Sequence, residues 1–137
     1  MPEFVDRVVV VNDNSTDATA DIVKQHMEKD GQETVALPSV LNDIQHKTKY
    51  NRADRVVQEQ MKKELELFPA SEIANEDDSD HNRIILINQK DNHGVGAAIA
   101  RGYKWCKDHG IDCTAVMAGD GQMDPDELEH ICKPVVE

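Results

Sequence analysis

Two unbroken runs of aliphatic residues set the frame of the chain, RVVVVN at 7–12 and RIILIN at 83–88. A strand buried on both faces carries apolar side chains at successive positions rather than alternate ones, so both runs predict buried parallel strands. The first ends in Asp13, Asn14, Ser15, Thr16 and Asp17, beyond which Ala18, Ile22, Val23 and Met27 recur at helical spacing. Ser15 or Thr16 can cap that helix, and Asp17 suits the positive end of its dipole. The second run passes through QKDNH into Gly94, Val95 and Gly96; Val95, Ala98, Ile99, Gly102 and Trp105 then mark one face of a second helix. A third strand is predicted over CTAVMA at 113–118, ending at Gly119, Asp120, Gly121 and Gln122. Asp124 as cap, Pro125 in the first turn and Glu127 three residues past the cap start another helix.

Strands alternating with helices predict an α/β class: a parallel sheet with flanking helices and right-handed crossovers. At 137 residues the chain is the size of one ordinary domain, 1–137. The interval from about 30 to 82 is too long for a plain connection. Ala53, Val56, Val57, Met61, Leu65 and Phe68 form an amphipathic stripe within it, which predicts a helical insertion. The acidic run at 76–80 near its end has no apolar residue and reads as a solvated loop.

Charge narrows the function. Lys and Arg number 15 against 27 Asp and Glu, a formal charge of -12, whereas a nucleic-acid partner calls for a basic face. A phosphorylated ligand would need a divalent cation or backbone amides between it and so acidic a surface. Cys106, Cys113 and Cys132 are an odd number without a paired framework, the pattern of reduced thiols in a cytoplasmic setting. Neither a basic segment leading into an apolar run nor a membrane-length apolar stretch is present.

In an open parallel sheet, ligands gather where the carboxyl ends of strands meet the following loops. Asp13 stands just past the first predicted strand and Asp120 just past the third, so the two carboxylates converge on one cleft if those strands are near neighbours. A hard divalent cation takes oxygen ligands, which Asp120 and the amide oxygen of Gln122 could supply. Each residue also has a plainer use. Asp13 serves equally as a turn and cap residue, Asp120-Gly121 is a common turn dipeptide, and Asp124 is better explained as a cap than as a ligand. Gly94 and Gly96 could admit a phosphate close to backbone, but Ile99 occupies the third glycine position of a dinucleotide fingerprint and five residues separate the glycines from the strand, which counts against a nicotinamide site. Cys106, His109 and Cys113 lack the paired spacing of a zinc site. Asn14-Ser15-Thr16 reads as a helix start rather than as a glycosylation sequon.

Taken together, VVVVNDNSTDATADIV, INQKDNHGVGAAIARGY and VMAGDGQMDPDELEHI closely resemble the family 2 glycosyltransferases, particularly the branch acting with polyprenyl phosphates, such as dolichol-phosphate mannosyltransferase. The resemblance covers both ends of the chain and not the insertion. It implies a partial GT-A fold, a Rossmann-like nucleotide-binding architecture. It further implies a nucleoside diphosphate sugar bound by Asp13, Asn14, Ser15, Asn92, Gly94, Gly96 and Asp120. Mg2+ or Mn2+ would be held by Asp120 and Gln122, and the hexose would pass to an acceptor such as a polyprenyl phosphate at a membrane surface.

The sequence departs from that family at two places. Ala118 stands where many members have the first aspartate of the metal motif, which leaves water to take that ligand position. The family's sheet also begins with a further central strand, between those called first and third here, that this sequence does not contain. Its absence predicts unpaired sheet edges open to homo-oligomer formation, and a noncatalytic, assembly-prone donor-binding module becomes the alternative. The acceptor-side segments are likewise not matched, so no catalytic base is assigned.

Overall fold

A computed structural model of the chain describes residues 1–30, 48, 50–74 and 82–137. In chain order its elements are β1 (Val8–Asn12), α1 (Thr19–Lys29), α2 (Arg52–Leu65), β2 (Ser71–Ile73), β3 (Ile84–Gln89), α3 (Val95–Asp108), a 3-10 turn (Pro125–Glu127) and α4 (Leu128–Val136). The class is α/β, built on one small sheet of order β1-β3-β2.

The two aliphatic runs are its parallel pair, in register from Val8 opposite Ile84 to Asn12 opposite Asn88. β3 is the central strand: Ile85, Leu86 and Ile87 are consecutive and all fully buried, so both faces of the strand are covered. Ile85 and Ile87 pack with Trp105 and Cys106 of α3, with Val9, Val11, Ile73 and Ile111 around them. Gly102 brings α3 close to β1, since a Cβ there would lie 3.5 Å from Val11 Cγ2. Burying Trp105 and the three β3 side chains contributes roughly 1.5–3 kcal/mol each. α1 lies against β1 and β3 and buries none of its residues fully.

Three sequence expectations need correction. The sheet is mixed, because β2 pairs antiparallel with β3, Ser71 opposite Gln89 and Ile73 opposite Ile87. The insertion therefore supplies a strand as well as a helix, and a three-residue SEI segment is too short to show a period. The segment 113–118, predicted as a third strand, lies in no ladder among the described residues. Its β-branched residues fit a pleated surface, but without a neighbouring strand to take its amides and carbonyls the backbone does not become a strand. Finally, α1 begins later than predicted, and its first turn is held by Asp17, whose carboxylate accepts from the backbone N–H and the hydroxyl of Thr19; Ser15 instead donates its N–H to Asn12 Oδ1 at 3.0 Å.

The predicted stripe turns only partly inward: Met61 of α2 and Phe68 just past its end are half-buried while Val56, Val57 and Leu65 are exposed. Charge ties it to α3. Glu64 Oε2 lies 2.9 Å from Lys107 Nζ and 3.4 Å from Lys104 Nζ, and Lys104, with 3% of its side chain exposed, also donates to the Asp108 carboxylate at 2.6 and 2.7 Å. Buried Arg101 donates from Nε to Ser71 Oγ at 2.9 Å, joining α3 to β2. The acidic run 76–80 lies outside the described residues.

Candidate functional site

Because β1 and β3 are adjacent and parallel, the loops after them leave the same edge of the sheet. The last paired position of the two strands is asparagine on both, one residue before β3 ends: Asn12 Nδ2 donates to Asn88 Oδ1 at 2.9 Å. Asn12 Oδ1 accepts from Ser15, so the buried Asn12 side chain fixes the start of the first loop. Asn14 then turns the chain with φ of 55°, a left-handed conformation asparagine tolerates better than most residues.

Asp13 is where the two loops are fastened together. One carboxylate oxygen accepts from His93 N–H at 2.9 Å and the other from Gly94 N–H at 2.7 Å. Asn92 Nδ2 donates to the Asp13 carbonyl at 3.1 Å. Gly94 makes this possible: at φ 85° and ψ 167° its backbone lies in a region essentially restricted to glycine, and it is the N-cap of α3. Asp13 thus places negative charge at the amino end of the α3 dipole. A Cβ on Gly96, in the first turn, would meet nothing within 4 Å, so the approach to that turn is open.

Asp120 and Gln122 form a separate unit. Asp120 Oδ1 accepts from Gln122 N–H at 3.0 Å, and Gly121 sits at φ 76°, the turn geometry of an Asp-Gly pair. Ala118 N–H meets Met123 Sδ at 3.4 Å across this turn, and the Asp124 side chain caps the following 3-10 turn through Asp126 N–H. Asp120 and Gln122 are exposed. Among the described residues no hydrogen bond or ion pair joins them to Asp13, Asn92 or Gly94. Of the predicted site residues, the structure brings together Asp13, Asn92 and Gly94, with Asn14 and Ser15 in the adjoining turn and Gly96 in the first turn of the helix.

No group of three or more His, Cys, Asp or Glu side chains among the described residues is arranged to hold a metal ion. Gln122 meets Asp120 through its backbone N–H, and the one protein carboxylate in this turn is that of Asp120. Mg2+ is commonly held by one or two carboxylates with waters and substrate phosphates completing the shell, so a cation here would depend on a ligand's phosphates for most of its coordination.

Sequence reasoning missed Asn12, Asn88 and His93. The first two were visible as identical residues ending two parallel runs; the His93 amide carries no sequence signal, since any residue there offers the same N–H. No helix among the described residues is long and apolar enough to cross a membrane. Comparison with protein-family models, with curated proteins and with solved structures returned no match.

Proposed function

We propose that the chain binds the diphosphate of a nucleoside diphosphate sugar at the carboxyl edge of the β1–β3 pair, as the donor-binding part of a metal-dependent glycosyltransferase of the GT-A type. The observation that carries this is the clamp at Asp13, which holds the loops of two adjacent parallel strands together at the edge where such sheets take ligands. The open first turn of α3 leaves the N–H groups of Val95 and Gly96 to meet phosphate oxygens, and Asn14 and Ser15 border the same edge. The free lone pairs of the Asp13 carboxylate suit hydroxyl donors such as those of a ribose. Mg2+ or Mn2+ at Asp120 and Gln122 would offset the charge developing on the departing diphosphate. The acceptor we propose is a polyprenyl phosphate.

Calorimetric titration tests this. The chain should bind a nucleoside diphosphate sugar in the presence of Mn2+, bind Mn2+ alone only weakly, and lose the metal-dependent part of donor binding in Asp120→Asn. Equal binding by Asp120→Asn, or none by the native chain with any nucleoside diphosphate sugar, would reject the proposal.

One observation favours a second reading, a noncatalytic module that assembles through its sheet. β1 is an edge strand whose outer side has no ladder partner among the described residues, and its VVVV run carries no charge or proline that would discourage pairing. Light scattering of the same samples separates the two: a concentration-independent monomer removes the assembly reading.

A further inference from the structure

Two cations are buried among the described residues, and only one of them has an anion. Lys104 is held by the carboxylates of Asp108 and Glu64, whereas no carboxylate of a described residue lies within ion-pair distance of Arg101, which is 4% exposed. Its one hydrogen bond runs from Nε to the neutral hydroxyl of Ser71, at 2.9 Å. Both terminal nitrogens of the guanidinium are left without a partner among the described residues, although the group stays charged when buried. Burial pushes Arg101 below its ordinary value, and the Asp108 carboxylate, already taken up by Lys104, opposes this only in part.

A second orphan lies beside it. Ser71 is the ladder partner of Gln89, and cross-strand partners project from the same face of a sheet. Ser71 meets Arg101 of α3, so that face is the one α3 covers. Gln89 falls on the same face by its even spacing from Ile85 and Ile87, which pack on Trp105. The residue is 3% exposed, and both polar atoms of its side-chain amide are enclosed without a hydrogen-bond partner. The terminal nitrogens of Arg101 are not enclosed in this way, so the guanidinium fork is the part of the cluster that water reaches.

Folded proteins seldom leave a buried charge and a buried amide unsatisfied side by side. The unmatched groups are mostly donors: the fork, the Gln89 NH2, and the Ser71 O–H, whose oxygen already accepts from Arg101. We propose that Arg101, Ser71 and Gln89 form a binding site for a small oxyanion, the carboxylate or phosphate group of a low-molecular-weight ligand, gripped by the guanidinium fork. The site lies on the β2 side of β3 and Asp13 follows β1 on the other, so it is separate from the donor site proposed above and does not rest on it.

Urea denaturation of the full chain in inorganic phosphate, in acetate and in chloride, at one ionic strength and with EDTA present, tests this. At about ten times its dissociation constant, the bound anion should raise the folded-to-unfolded ratio roughly tenfold over chloride. Phosphate acting at lower concentration than acetate assigns a phosphoryl group, and the reverse order a carboxylate. Arg101→Met should abolish the gain, and Arg101→Lys should keep only part of it, since lysine cannot present the fork. In the native chain the Gln89 side-chain NH2 resonances should shift saturably with the same midpoint, a readout that does not depend on the variants folding. A gain shared by Arg101→Met, or Gln89 resonances that stay in place through the titration, would overturn the proposal and leave the cluster a tie between α3 and β2.

Discussion

Asp13→Asn perturbs the one residue that joins the two loops at the sheet edge. The native carboxylate accepts two backbone N–H groups, at 2.9 and 2.7 Å, one on each oxygen. Asparagine keeps one acceptor, turns an NH2 group toward the other amide, and removes the charge at the start of α3. A hydrogen bond to a charged group contributes about 1.5–3 kcal/mol when well buried, and a carboxylate at a helix amino end about 0.3–1 kcal/mol. Asp13 is only half-buried, so the lower part of the first range applies. The sum for one lost bond and the lost charge is about 2–2.5 kcal/mol. Urea denaturation with an unchanged m-value measures it, and amide hydrogen exchange locates it, with protection falling first at His93 and Gly94. Asp120→Asn is the internal control: the residue is exposed, asparagine can accept from Gln122 N–H equally well, and stability should stay within about 0.5 kcal/mol. An Asp13→Asn variant that also stays within about 0.5 kcal/mol, with exchange at His93 and Gly94 unaltered, would refute the clamp.

Two further outcomes follow from the charges around α3. Asp108→Asn strips the near-buried Lys104 ammonium of its close partner and leaves only Glu64 at 3.4 Å, so it should cost about 2–3 kcal/mol in chemical denaturation. Lys104→Met should cost less, because Asp108 and Glu64 are 14% and 29% exposed and can turn to water; the reverse order would show that the ammonium is not the desolvated member. Glu64 is held below its ordinary value of 4.5 by the hydrogen bond from Lys107, so the unfolded chain takes up this proton first as pH falls. Its contribution is complete above that value and is lost as pH drops through the lower folded value. The urea midpoint of the native chain should therefore decline more steeply from about pH 5 to pH 3 than that of Glu64→Gln, and parallel declines would remove the pair from the account.

What the sequence disclosed follows from how much each feature depends on distant partners. The β1 and β3 runs and the start of α3 at Val95 were legible because consecutive aliphatic residues and helical spacing are local signals. The Asp124 cap and the Asp120-Gly121 turn were legible for the same reason: both are bonds between residues two apart. β2 was hidden, since its three residues become a strand only through pairing with β3. The prediction at 113–118 failed in the opposite sense, its composition being right for a strand and its partner missing among the described residues. The clamp stood between these cases. Asp13, Asn92 and Gly94 were all named from sequence as ligand-binding residues, yet their bonding to one another is a long-range fact that only the β1–β3 register could supply.

That contrast bears on the site itself. Asp13 is anchored at the end of a ladder, through Asn12, Asn88 and the α3 amides. Among the described residues Asp120 has no comparable anchor: the segment leading to it packs against the core at Ile111, and the residue itself is held by its own turn. Val8 N–H bonds to Arg83 O, so Val8, Val10 and Asn12 face β3 while the amides and carbonyls of Val9 and Val11 face outward from β1, with no partner among the described residues. A strand seated on that edge would satisfy those groups.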